Sequence, residues 1–229
     1  PRPVMVFIHG GAYILGTAAT PLYEGSLLAR AEDVIVVTVQ YRFGPFGYVD
    51  LSAYSTDERR FDSNLGLKDQ VAALQWVQRN IAAFGGDPDN VTVFGESAGA
   101  SAVLSLMCAP AAQGLFTRAI AQSPAPDLAI DAESARTYAA EFLRILRDPT
   151  RRATAVDAAA DPMAPDEVQA LLSRASAHDI LRAGDRLMKF AQVAGLNHPI
   201  PFGPVIDGDY LSAFPLEAAA AGVEVMGQL

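Results

Sequence analysis

Val91-Thr92-Val93-Phe94-Gly95-Glu96-Ser97-Ala98-Gly99-Ala100 holds more of the fold than any other stretch of these 229 residues. Its first four residues are a short apolar, β-branched run, which reads as a strand. Its last residues open a stretch of small and apolar residues through Met107, which reads as a helix. Between them stands Gly-x-Ser-x-Gly. A serine there sits on a tight, strained strand-to-helix turn that lifts its hydroxyl above the sheet. Small neighbours are required because larger side chains would collide with the returning helix. Gly95, Gly99, Ala98 and Ala100 meet that requirement. The amide of Ala98 falls at a helix N-terminus, where a developing oxyanion is favoured.

Upstream, residues 4–8 and 34–39 are unbroken apolar runs, suited to parallel strands buried on both faces. Residues 65–84 carry Leu67, Val71, Leu74, Val77 and Ile81 on one helical stripe. Ser63 or Asn64 is placed to cap that helix, and Gly85-Gly86 and Pro88 end it. Residues 119–121 are expected to form a fourth strand. This alternation predicts an α/β fold with a mostly parallel sheet and helices on both faces. Beyond residue 125 the pattern changes. Residues 132–147 and 166–190 have helical spacing, and 148–165 read as a Pro-containing surface loop. Residues 202–208 form a turn-bounded segment, Pro215 opens a short helix to position 221, and 223–227 look like a further strand. We expect one domain over 1–229, a sheet core in 1–125 and a helical excursion in 126–229.

Composition narrows the partners. Hydrophobic residues make up 51% and charged residues 19%, enough for a large core. A formal net charge of -9 argues against nucleic acid and anionic membranes, which require clustered Lys and Arg. No apolar run reaches membrane-spanning length. A single cysteine, Cys108, excludes an internal disulfide and reads as a buried thiol. Three histidines without paired spacing offer no metal site, and Asp87 and Asp89 read as a turn.

His9-Gly10-Gly11-Ala12 follows the first strand. Consecutive small residues let backbone amides approach a substrate oxygen, and an oxyanion hole needs donors from that loop. Gly11 and Ala12, with Ala98, are the candidate donors, and Ser97 is the candidate nucleophile. His9 reads as shaping the loop rather than as a base, because it lies on the oxyanion side and precedes the serine.

These segments resemble the type-B carboxylesterase and cholinesterase family, over nearly the whole chain. The resemblance rests on Val6-Phe7-Ile8-His9-Gly10-Gly11-Ala12-Tyr13 and on Gln40-Tyr41-Arg42-Phe43-Gly44-Pro45-Phe46-Gly47, with Gln40 where the family has Asn. It also rests on Asn64-Leu65-Gly66-Leu67-Lys68-Asp69-Gln70, the elbow itself, and Phe202-Gly203-Pro204-Val205-Ile206-Asp207-Gly208. It implies an α/β-hydrolase fold, incomplete at both ends, and hydrolysis of small-molecule carboxylic esters through an acyl-enzyme, without a cofactor. It places Glu96 facing the substrate pocket, with a buried carboxylate bracing the elbow as the equal alternative, and His198 and Ile200 near an acyl pocket.

The family's order is Ser, acid, His. Neither His178 nor His198 matches its histidine, so the resemblance implies an internal piece whose acid and base lie beyond Leu229. Two other readings stay open, an inactive truncated homologue and a non-enzymatic binding module. A lipase-like group with His-Gly-Gly-Gly and Gly-Asp-Ser-Ala-Gly fits less well, because Ala12 and Glu96 depart from it.

Overall fold

The computed structural model describes residues 1–150 and 163–220. Four parallel strands build the main sheet: β1 (Arg2–Ile8), β2 (Ile35–Val39), β3 (Gly86–Glu96) and β4 (Arg118–Gln122), in the order β2-β1-β3-β4. β1 and β3 are the interior pair, and the sequence shows why. Val4, Val6, Val91 and Val93 are fully buried on one face, while Phe7 packs on Phe94 across the other, ring centroids 5.0 Å apart. β3 is longer than its apolar run because Arg2 pairs with Gly86 beyond a register shift. β2 is only half buried along residues 35–38, so the expectation of burial on both faces fails there. In the described sheet it is an edge strand.

Helices α1 (Ser26–Glu32) and α2 (Pro45–Tyr48) are short; α3 (Leu65–Asn80) and α4 (Ala98–Cys108) carry the core. The expected stripe of α3 is buried in full and continues through Ile81 in a 3-10 turn. Eight of the eleven residues of α4 are buried, so it can approach the sheet closely. Neither expected cap forms at α3. Asn64 adopts a left-handed backbone, and its side chain turns away to residues 205–207. Cys108 is half-buried rather than buried, and burial pushes its thiol pKa up.

The second half holds α5 (Ala132–Arg147), α6 (Pro165–Arg174), α7 (Ala177–Ala191) and α8 (Pro215–Ala220). Residues 166–190 are therefore two helices. Ser176 ends the run because its hydroxyl accepts from the Asp179 amide while Asp179 accepts from the Ser176 amide, a capping box. A two-residue parallel ladder joins β5 (Ile130–Asp131) to β6 (Val205–Ile206). One continuous core cluster includes residues of both halves, from Val4 to Leu211. Most of the expected loop over 148–165 and the expected strand over 223–227 lie outside the described residues. No described helix is long and apolar enough to cross a membrane.

Candidate active site

The strand order fixes where the site falls. From β1 the chain leaves toward β2, and from β3 it leaves toward β4, on the opposite side. The loops diverge at the carboxyl ends of β1 and β3, the position where open α/β sheets bind ligands. Ile8 pairs with Gly95, so the two strands end level. Both signature segments, residues 9–13 and 95–99, emerge there side by side.

Ser97 has φ 56° and ψ -122°, a strained conformation for a residue with a Cβ. The turn is held from three sides. The Ser97 amide donates to the Gln122 carbonyl at 3.0 Å. Its carbonyl accepts from the Ser101 amide at 3.0 Å. The Ser101 hydroxyl lies 3.2 Å from that carbonyl and 2.9 Å from the Ala125 carbonyl, linking elbow and post-β4 loop. Glycine is enforced by contact: a Cβ at Gly99 would stand 2.1 Å from the Ile8 carbonyl oxygen, and one at Gly95 would stand 2.5 Å from the Gly99 carbonyl carbon.

The facing loop is equally constrained. A Cβ on Gly10 would stand 3.2 Å from the Ser97 Cβ, so the two segments touch. Gly11, Ala12 and Tyr13 all have positive φ, 115°, 54° and 59°. The run closes a tight turn, in which the Ile14 and Leu15 amides donate to the Gly11 carbonyl at 2.9 and 3.1 Å. The amides of Gly11, Ala12 and Ala98 donate to no described acceptor. A side chain at Gly11 is excluded by the Leu15 carbonyl, 2.1 Å from the position of its Cβ.

This loop is braced by contacts that no local pattern announces. The Tyr41 hydroxyl donates to the His9 carbonyl at 2.8 Å, and the Gly44 amide donates to the Tyr13 carbonyl at 2.6 Å. The Gln40 side chain accepts from the Ala18 amide at 2.9 Å. The segment 40–44 thus grips the loop at both ends. Burial pushes the Tyr41 pKa up, so its hydroxyl stays a donor. Periodicity could not reveal these contacts, although the Gln-Tyr-Arg run after β2 marked the segment.

The histidines fall into place separately. His9 is fully buried, its ring stacked on Tyr41 at 4.5 Å, and its Nδ1 donates to the Gly10 carbonyl at 2.8 Å. It shapes the loop. His178 is exposed in the first turn of α7. His198 has Nε2 3.0 Å from Asp131 Oδ2 and Nδ1 3.3 Å from the Asp127 carbonyl. Burial alone would raise the Asp131 pKa, but hydrogen bonds from Ser134 and His198 outweigh it and hold the carboxyl below its usual range. Glu96 is exposed in this chain, and its Oε2 would stand 3.0 Å from a Cβ on Gly10. Ile200 is half-buried, and neither it nor His198 hydrogen-bonds to the elbow. Asp87 and Asp89, expected in a turn, lie inside the first residues of β3, where Asp87 accepts from the Asp89 amide at 3.0 Å. Among the described residues no three His, Cys, Asp or Glu converge as metal ligands.

A strained serine on a strand-to-helix turn, beside a glycine-rich loop at the carboxyl ends of parallel strands, defines an α/β-hydrolase fold. The sequence model of the carboxylesterase family matches residues 1–226, and the chain belongs to that family. It is 44% identical over 221 residues to para-nitrobenzyl esterase of Bacillus subtilis (strain 168), covering 96% of this chain and 40% of that protein. A cocaine esterase of Homo sapiens is 54% identical over 121 residues, which is 53% of this chain and 20% of that protein. Among solved structures, a PNB esterase superposes with TM-score 0.80 at 42% identity, covering 97% of this chain and 43% of its own. A Geobacillus stearothermophilus carboxylesterase at pH 6.2 gives TM-score 0.80 at 37% identity, covering 99% and 42%. The chain thus spans less than half the length of these relatives.

Proposed function

We propose that this chain supplies the nucleophile and oxyanion hole of a serine carboxylesterase acting on small-molecule esters. The supporting observation is the strained Ser97, held against a loop whose Gly11 and Ala12 amides, with that of Ala98, are free to donate. Ser97 Oγ attacks the ester carbonyl carbon while its proton passes to a general base. The carbonyl π electrons move onto oxygen, where the three amides stabilise them. Collapse expels the alcohol, which takes the proton from the base and leaves an acyl-serine. Water then releases the acid by the same steps. We take residues 1–229 as one unit of this hydrolase, supported by the core cluster shared between its halves.

The base and acid come, in this reading, from outside the chain. His9 is buried with its Nδ1 bound to its own loop, His178 is on a helix surface, and both ring nitrogens of His198 face other acceptors. The same observation favours a second reading for the chain taken alone, a catalytically silent homologue. One experiment addresses both. In an ester-hydrolysing protein that contains this chain, a fluorophosphonate should modify the Ser97 peptide, read by mass spectrometry, and Ser97→Ala should abolish the adduct. Residues 1–229 alone should turn over an activated aryl ester at a residual rate, because catalysis without the base falls by several orders of magnitude. An adduct that persists in Ser97→Ala removes the nucleophile assignment. Saturable hydrolysis by the chain alone means that it holds a base.

A further inference from the structure

Helices α5, α6 and α7 enclose a cavity of about 320 Å³, away from the elbow. Ile145, Leu146, Leu171 and Ala183 give it an apolar floor. Its rim carries four guanidinium groups, Arg147, Arg174, Arg182 and Arg186, against one carboxylate, Asp179. Such a gathering is unexpected in a chain with a formal net charge of -9. Like charges brought together repel. Among the described residues Arg147 and Arg174 make no ion pair. Asp179 lies one turn from Arg182, but its Oδ2 accepts from the Ser176 hydroxyl and amide at 2.6 and 3.1 Å. Arg186 donates to the Pro149 carbonyl.

Helix termini account for part of the pattern. Arg147 and Arg174 stand in the last turns of α5 and α6, where cations are favoured. That does not explain why Arg182 and Arg186, from α7, face the same cavity. Of the five charged residues that line the cavity, four are arginines.

We propose that this cavity binds an amphiphilic anion. A carboxylate or phosphate head lies among the guanidinium forks, whose planar donors match such oxygens in pairs. A short aliphatic body lies on the apolar floor. The volume is at the small end of the range of ligand pockets, about 300–1,000 Å³, which suits a short chain. The site is independent of the reaction at Ser97.

The test is calorimetric titration of the full chain with sodium octanoate and octyl phosphate, with 1-octanol and inorganic phosphate as controls. Octanoate, octyl phosphate or both should bind at one site, more weakly as salt rises, with each control at least tenfold weaker. Whichever binds tighter identifies the head group. R147Q/R174Q should lower the affinity at least tenfold while its ligand-free Tm stays within a few degrees of the parent. If that variant does not fold, Arg182→Gln carries the same test. Octanol binding as tightly as octanoate, or affinity unchanged by the arginine variants, overturns the proposal; the latter outcome places the ligand elsewhere, including at Ser97.

Discussion

At the scale of single residues, Ser97 carries a cost that its surroundings must bear. Its backbone conformation favours glycine, and such strain is worth about 1–3 kcal/mol. Glycine removes the strain but loses up to about 1 kcal/mol through the freer unfolded chain. Ser97→Gly should therefore exceed Ser97→Ala in stability by about 1 kcal/mol, or roughly 2–4 °C in Tm for a chain of this size. Equal melting temperatures by scanning fluorimetry would mean that the turn is unstrained. The need for small residues at 95 and 99 was legible in the sequence, because Gly-x-Ser-x-Gly between strand and helix has one steric explanation. The left-handed run at Gly11, Ala12 and Tyr13 was not, since Ala and Tyr rarely adopt positive φ and give no warning of it.

At the scale of elements, local chemistry predicted most helices and strands but no long-range tie. Asn64 illustrates the difference. In sequence it is an N-cap, yet its amide donates to the Val205 carbonyl at 2.9 Å and its carbonyl accepts from the Val205 amide at 2.7 Å. Asp207 completes this clamp. Its Oδ2 accepts from Ser63 Oγ at 2.5 Å and Asn64 Nδ2 at 2.8 Å, and its Oδ1 accepts from the amides of residues 209–211. Burial alone would raise the Asp207 pKa, but these donors outweigh it and lower the pKa. The folded value lies below the unfolded one, about 3.9. Its contribution is therefore complete near neutral pH and is lost as pH falls below roughly 4. Asp207→Asn should cost on the order of 1–2 kcal/mol at pH 7, since the new amide points donors at donors. That deficit should shrink by pH 2. A deficit constant from pH 7 to 2 in urea denaturation would show that the carboxylate charge plays no part.

At the scale of the whole molecule, the described sheet has two edges, and both carry apolar side chains. Ile35, Val36 and Val37 on β2 are only partly buried, and Ile120 on β4 is 45% exposed. Unpaired strand edges beside apolar surface template association. The chain should self-associate in light scattering, and Ile120→Lys should reduce this by placing a charge on the edge. A monodisperse parent chain would show that these edges are not sticky. By itself the sequence determined the parallel strands, the buried stripe of α3, the elbow and the family, because periodicity, turn chemistry and close packing act over a few residues. Tertiary structure alone decided the switch point between β1 and β3, the grip of residues 40–44 on the loop after β1, and the pairing of Asn64 with Val205 across 141 residues. It also decided the occupation of His198 by Asp131. Those contacts join segments far apart in the chain, and the free energy that selects them comes from burial and satisfied hydrogen bonds once the core has formed.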